Sequence, residues 1–124
     1  MARLVRAPLA AIKRRLAALD PACCVVLCGH SHRSELIRIP DGPVVFNPGS
    51  IGCPAYEDST PPAHVSEQGS PHVRYGIVEL GEPGRPDRFE AIAVDYDHEA
   101  AAQQAEQAGR PEWAYALHTG FMPG

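Results

Sequence analysis

The chain has 124 residues, which is enough for one small domain with a hydrophobic core but not for two substantial domains. Its formal net charge of −4 creates no overall positive field, so the composition argues against nucleic acid or an anionic membrane surface as a partner. No segment approaches the roughly 20 consecutive apolar residues of a membrane span. Basic residues interrupt the N-terminal segment, where a secretory leader would be apolar. We therefore expect a cytoplasmic protein.

The first predicted elements have the pattern of an α/β protein. Leucine and isoleucine recur at helical spacing over residues 8–19, which predicts a helix that ends before Pro21. A short link leads to an apolar, cysteine-rich run over residues 24–28, which is typical of a buried strand. The next two strands, over residues 35–39 and 44–46, flank the turn sequence PDGP and are expected to form a hairpin-like pair.

The second half of the chain begins with a segment that has no hydrophobic periodicity. Residues 52–72 are rich in proline, serine and glycine, and we expect an irregular loop that borders the functional site. Two strands over 73–80 and 88–96 should then form an antiparallel pair. A helix capped by Asp97 and ended by Gly109 follows, and a shorter helix has Pro111 in its first turn. We expect three aromatic residues to pack in the core or between helices: Tyr75, Trp113 and Tyr115.

The most informative segment is Gly29-His30-Ser31-His32, directly after the apolar strand. In extended backbone, residues i and i+2 point to the same side, so both imidazoles are expected to face one metal ion or two adjacent ions. Gly29 would allow the chain to turn sharply or to approach a ligand. Imidazole binds zinc, manganese, iron and nickel, and a pair of such ions can clamp the oxygens of a phosphoryl transfer.

Four cysteines leave a second kind of metal site open. None is spaced as CxxC, so a zinc ribbon or a redox motif is disfavoured and reduced thiols are expected. Cys28 and Cys53 could still join the two histidines in a Cys2His2 zinc site. The remaining histidines offer no second cluster, because they are scattered over the predicted loop and the two terminal helices: His64, His72, His98 and His118.

The sequence "CGHSH" followed by "FNPGS" resembles the carboxy-terminal part of the calcineurin-like metallophosphoesterases, in particular the small prokaryotic phosphodiesterase branch. The tail "YDHEAAAQQAEQAGRPEWAYALHTG" is similar to the terminal helices of that branch, so the resemblance extends from about residue 8 onward. It implies that residues 1–124 are a single partial domain, the C-terminal half of a four-layer α-β-β-α sandwich.

The resemblance also implies the roles of individual residues. His30 and His32 match the last two metal ligands of a binuclear centre, one for each divalent ion. The turn that begins at Asn47 and includes Gly49 and Ser50 matches a loop that shapes the site beside Gly29. The substrate would be a phosphate ester, and no residue of this chain is assigned a catalytic role.

The sequence departs from the family pattern in a way that bears on activity. The family builds its site from an early Asp-x-His, a second Asp, an Asn-His pair and a further histidine, and none of these motifs precedes the Gly-His-Ser-His segment here. We therefore expect that the chain is the C-terminal portion of a metal-dependent phosphodiesterase and that it is inactive alone. It would need a missing N-terminal half or would self-associate. The alternatives are a non-catalytic binding or assembly module of the same ancestry, and a small His/Cys zinc-binding protein.

Overall fold

Three helices and eight strands make up the computed structural model, which describes residues 1–124. The helices are α1 (Leu9–Leu16), α2 (His98–Gln107) and α3 (Pro111–Thr119). The strands are β1 (Ala2–Arg3), β2 (Val25–Leu27), β3 (Glu35–Arg38), β4 (Val44–Asn47), β5 (Ala55–Asp58), β6 (His64–Glu67), β7 (Val73–Glu79) and β8 (Arg88–Val94). They form a small mixed α/β domain with three small sheets, and the coarse α/β prediction is confirmed.

Strand β4 is the centre of the best-packed sheet, whose order is β2-β4-β3. It pairs parallel with β2 and antiparallel with β3, and all four of its residues are buried. The predicted hairpin around the PDGP turn is therefore confirmed. Because β2 and β4 are parallel, their carboxyl ends lie at the same edge of this sheet.

The expectation that residues 52–72 form an irregular loop is wrong. They contain β5 and β6, which pair antiparallel, and β1 adds to β6 in parallel to complete a second sheet. The segment alternates only weakly, because Ser66 is a small polar residue in a buried position, 2% exposed. Its hydroxyl donates a hydrogen bond to the Ser31 carbonyl oxygen at 2.5 Å, a contact between residues 35 positions apart. Local sequence patterns do not reveal pairing of this kind.

The third sheet consists of β7 and β8, and the predicted antiparallel pairing is confirmed. One face of this hairpin covers the first sheet. The ring centroids of Phe46 and Phe89 lie 5.7 Å apart, and a Cβ atom on Gly76 would lie 2.6 Å from the Phe46 Cζ atom. The opposite face leaves Tyr75 and Ile77 exposed.

Helices α2 and α3 form a hairpin that packs through small residues. The helices close around Ala102, Ala114 and Leu117, which are buried. The predicted helix ends are confirmed, because the Asp97 carboxylate accepts a hydrogen bond from the Ala100 amide at 3.1 Å and Pro111 occupies the first turn of α3. The prediction of core positions for the aromatic residues is wrong: Tyr75, Trp113 and Tyr115 are 41%, 47% and 45% exposed.

The domain buries little of its apolar surface. Only 13 of its 124 residues are buried, and its accessible surface is 8169 Å², whereas a folded monomer of this mass is expected to expose about 6,450 Å². None of the three helices has the length and apolar character needed to cross a membrane. The excess surface indicates that apolar faces of this domain lack a packing partner within the chain.

Candidate metal centre

The Gly-His-Ser-His loop begins two residues after β2 ends, at the carboxyl edge of the central sheet. Asn47, the last residue of β4, lies beside it because β2 and β4 are parallel neighbours. The carboxyl ends of parallel strands are a common location for ligand sites in α/β proteins, because loops from adjacent strands converge there. The fold therefore brings together the two sequence segments that suggested a site.

The two histidines do not lie in extended backbone, so that part of the prediction is wrong. His30 has φ 73° and His32 has φ 58°, both in the left-handed region that few residues other than glycine adopt. Gly29, expected to make the turn, has no positive φ, and no atom lies within 4 Å of a Cβ atom built on it. The chain turns at the histidines themselves, and such conformations are concentrated at functional sites.

Asn47 holds this loop in position through its side-chain amide. Its nitrogen donates hydrogen bonds to the Gly29 carbonyl oxygen at 3.2 Å and to the Ser31 hydroxyl at 2.9 Å. Its oxygen accepts from the Gly49 amide at 3.0 Å. Since Asn47 is only 5% exposed, these bonds satisfy a buried amide and tie the Gly-His-Ser-His loop to the Asn-Pro-Gly-Ser turn.

The Asn-Pro-Gly-Ser turn needs its glycine and fastens two further segments. Gly49 has φ 93°, and a Cβ atom there would lie 2.7 Å from the Arg74 Cβ. The Ser50 hydroxyl accepts a hydrogen bond from the Cys53 amide at 3.1 Å, and the Ser50 carbonyl accepts from the Arg74 amide at 3.0 Å. The turn therefore connects the histidine loop to the segment before β5 and to the start of β7.

His32 is held in one tautomer by a backbone carbonyl. Its Nδ1 lies 3.0 Å from the Cys53 carbonyl oxygen, which can only accept, so Nδ1 carries the proton and donates it. In the neutral ring, Nε2 is then left with a free lone pair. Metal-binding histidines in proteins typically have their other nitrogen bonded to a carbonyl or carboxylate in this way, because the bond orients the ring and raises its basicity.

Tyr56 on β5 supports both histidines, and sequence reasoning did not single it out. Its ring packs edge-to-face on His32 at 4.8 Å, and its hydroxyl donates to the His30 carbonyl oxygen at 2.9 Å. Burial raises the pKa of the Tyr56 hydroxyl above its ordinary value, so it remains a donor at neutral pH. The expectation that residues 52–72 border the histidines was the only signal for this contact.

The two histidines share one open cleft of about 290 Å³ with Tyr56, Glu57 and Asp58. The Asp58 carboxylate accepts a hydrogen bond from the Thr60 amide at 2.8 Å, and this bond lowers the pKa of Asp58 below its ordinary value. The cleft therefore contains two imidazoles and two carboxylates, and the carboxylate of Asp58 is held in its ionised form. The ligand atoms of these side chains do not converge on one point. The three ligand side chains of this chain that do converge lie in the α2–α3 hairpin.

The cysteines do not complete a site around His30 and His32. All four are free, and neither Cys28 nor Cys53 joins the histidines in a converging group. Burial raises the pKa of both thiols, with the Glu35 carboxylate adding to the effect at Cys28. Because these thiols do not converge on the histidines, the chain does not form the Cys2His2 site that the sequence left open.

No protein-family model matches the chain, and no curated protein matches it.

Proposed function

We propose that His30 and His32 are metal ligands of a binuclear phosphoesterase centre, and that the remaining ligands come from outside this chain. The observation that carries the proposal is the Nδ1–H of His32 bonded to the Cys53 carbonyl, which leaves Nε2 free as a ligand in an open cleft. The left-handed backbone of both histidines and the Asn47 bonds that hold their loop support the same interpretation.

The side chains in the cleft are of the types that bind divalent ions, but there are too few of them to complete the coordination of two ions. Imidazole and carboxylate suit zinc, manganese, iron or nickel, so the identity of the metal stays open. The two histidines and the carboxylates of Glu57 and Asp58 provide at most four ligand side chains, whereas two ions require about four to six ligands each. We therefore propose that the chain does not hydrolyse phosphate esters alone.

When bound, two divalent ions would supply Lewis-acid stabilisation of phosphoryl oxygens and activation of a water molecule. The residues of this chain would hold and orient the site. Cys53 sets the tautomer of His32, Tyr56 limits the movement of its ring, and Asn47 maintains the loop that carries both histidines. Each of these contacts reduces the reorganisation needed to bind an ion.

The exposed apolar surface supports the proposal that a further layer packs on this domain. A cleft of about 350 Å³ opens between the central sheet and the β7–β8 hairpin, lined in part by Leu27, Phe46, Gly76 and Val78. Leu27 is 64% exposed although it belongs to β2, a strand of the central sheet. In the proposed four-layer sandwich, the elements that provide the missing ligands would cover this surface. The four free cysteines agree with a cytoplasmic location.

The decisive experiment asks what the DNA on the 5′ side of the Met1 codon encodes. The proposal predicts Asp-x-His and Asn-His motifs in frame there or in an adjacent gene. The joined or mixed polypeptides should hydrolyse bis-p-nitrophenyl phosphate with manganese, and His30→Ala or His32→Ala should reduce kcat by at least about 100-fold, whereas His72→Ala should not.

Two results would contradict the proposal. The first is the absence of such motifs from the neighbouring reading frames, which would favour a non-catalytic binding or assembly module. The second is metal-dependent turnover by the 124-residue chain that survives His30→Ala, since the reaction would then use other ligands.

A further inference from the structure

The first turn of α2 and the last turn of α3 bring three metal-binding side chains together, and none of the three lines the cleft described above. His98 and Glu99 begin α2, and His118 is the penultimate residue of α3. The hairpin packing places the start of one helix beside the end of the other. Ligand atoms of the three side chains all lie within 4.8 Å of one another, and no other group of His, Cys, Asp and Glu in the chain converges in this way.

The Glu99 carboxylate lies between the two imidazoles. One of its oxygens is 2.8 Å from His118 Nδ1, and the other is 3.5 Å from His98 Nδ1. The His98 nitrogen is shielded from solvent and has no hydrogen-bond partner of suitable geometry. A shielded imidazole nitrogen without a partner is costly, and a metal ion would satisfy it.

The contact between Glu99 and His118 does not account for the arrangement. An ion pair between a 40% exposed histidine and a 58% exposed glutamate contributes little to stability and leaves the His98 nitrogen unsatisfied. Three acidic residues, Asp95, Asp97 and Glu99, also alternate with Tyr96 and His98 along the chain at this end of the hairpin. Their negative charge favours a cation there.

The donor set and its spacing suit zinc. Two histidines and one glutamate are an established ligand set for four-coordinate zinc, which leaves one position for water. Zinc–ligand bonds of about 2.0 Å place tetrahedral ligand atoms about 3.3 Å apart, so the widest pair here must close by roughly 1.5 Å. His118 and Glu99 are exposed enough to make this adjustment by side-chain rotation, without disturbing the buried contacts of Ala102, Ala114 and Leu117.

We propose that His98, Glu99 and His118 form a zinc site that ties the start of α2 to the end of α3. The site is independent of the histidine loop, and it does not depend on the phosphoesterase proposal. Because bound zinc would connect the two ends of the hairpin, it would stabilise the folded chain, and the stabilisation would grow with the logarithm of the zinc concentration.

The test uses the full chain with His30→Ala and His32→Ala, so that the histidine loop cannot contribute. Titration with zinc chloride by calorimetry should show one ion bound per chain, and cobalt chloride should give the visible absorption of a four-coordinate ion. Adding His118→Ala, His98→Ala or Glu99→Gln should weaken zinc binding by at least about tenfold. Glu106→Gln, an exposed change on the same helix, is the matched control and should leave the affinity unchanged.

Thermal unfolding provides a second readout. Zinc should raise the Tm of the loop double variant, and the increase should disappear when His118→Ala is added. Far-UV circular dichroism without zinc establishes that each variant is folded, and alanine near the end of α3 does not reduce helix propensity. The proposal is overturned if the folded double variant binds no zinc, or if its zinc affinity is the same with and without His118.

Discussion

At the scale of single residues, the conformations of His30 and His32 are the least expected feature of the chain. A residue other than glycine in the left-handed region costs about 1–2 kcal/mol relative to ordinary backbone. The surrounding bonds maintain this conformation: Asn47 holds the Gly29 carbonyl, and Tyr56 donates to the carbonyl of His30. The side chains that support the loop therefore offset a local cost, as is common at ligand sites.

This conformation predicts an inverted order of stability at position 30. Because His30 has φ 73° and an exposed side chain, the His30→Gly variant should be more stable than His30→Ala by about 1 kcal/mol. Position 64, in strand β6 without a positive φ, is the control, and there alanine should be more stable than glycine. Urea unfolding of the four variants measures both differences, and the same order at both positions would refute the left-handed assignment.

At the scale of elements, the ends of the helices are held by different means. Helix α2 begins with the Asp97 cap, whereas α3 ends at Gly120, which has φ 78° and lies against the backbone of Ser70. The Gly69 amide also donates to the Gly120 carbonyl at 2.9 Å. The end of α3 is therefore attached to the segment between β6 and β7, so that Gly120 has both a conformational and a steric role.

Two glycines allow these roles to be separated. Gly109 and Gly120 both follow a helix with positive φ, but a Cβ atom on Gly109 meets nothing within 4 Å, whereas one on Gly120 would be 2.5 Å from the Ser70 Cα. Gly109→Ala should cost about 1–2 kcal/mol of unfolding free energy, from conformation alone. Gly120→Ala should cost a further ~1–3 kcal/mol from overpacking. Equal losses in chemical denaturation would show that the Ser70 contact does not constrain α3.

At the scale of the whole molecule, the dominant feature is exposed apolar surface. The excess of 8169 Å² over the roughly 6,450 Å² expected for this mass is about twice the ~800 Å² that one partner buries in a standard protein interface. Exposed large apolar side chains occur on β2 and on the outer face of β7, among them Leu27, Tyr75 and Ile77. Exposed large apolar side chains of this kind favour association.

We therefore expect the isolated chain to self-associate at micromolar concentration. Sedimentation velocity should show species larger than 13.3 kDa, and Ile77→Lys should shift the population toward monomer because it places a charge on the exposed face of β7. Glu57→Lys also adds positive charge but lies on β5, outside this face, and should leave the association unchanged. A wild-type chain that sediments as a monomer would contradict this expectation.

Local patterns in the sequence were sufficient to predict the helices and strands that have a clear signature within a few consecutive residues. The helical spacing before Pro21, the apolar run at β2, the PDGP turn and the capping residue Asp97 each act within one element, and the structure contains the elements they predict. The expectation that the β2 strand is buried is wrong, because none of its residues is buried and Leu27 is 64% exposed. The histidine pair was identifiable because closely spaced imidazoles carry recognisable metal-binding chemistry. The expectation that the Asn47 turn lies beside the histidines came only from the family resemblance.

Only the tertiary structure determined the features that depend on distant residues. The β5–β6 pairing, the support of both histidines by Tyr56 and the meeting of His98, Glu99 and His118 all join positions that are separated along the chain. The left-handed turn at the histidines is likewise unfavourable locally and is stabilised by bonds from Asn47 and Tyr56. Backbone propensity reports the local cost of a conformation, whereas the contacts that offset this cost form only when the chain has folded.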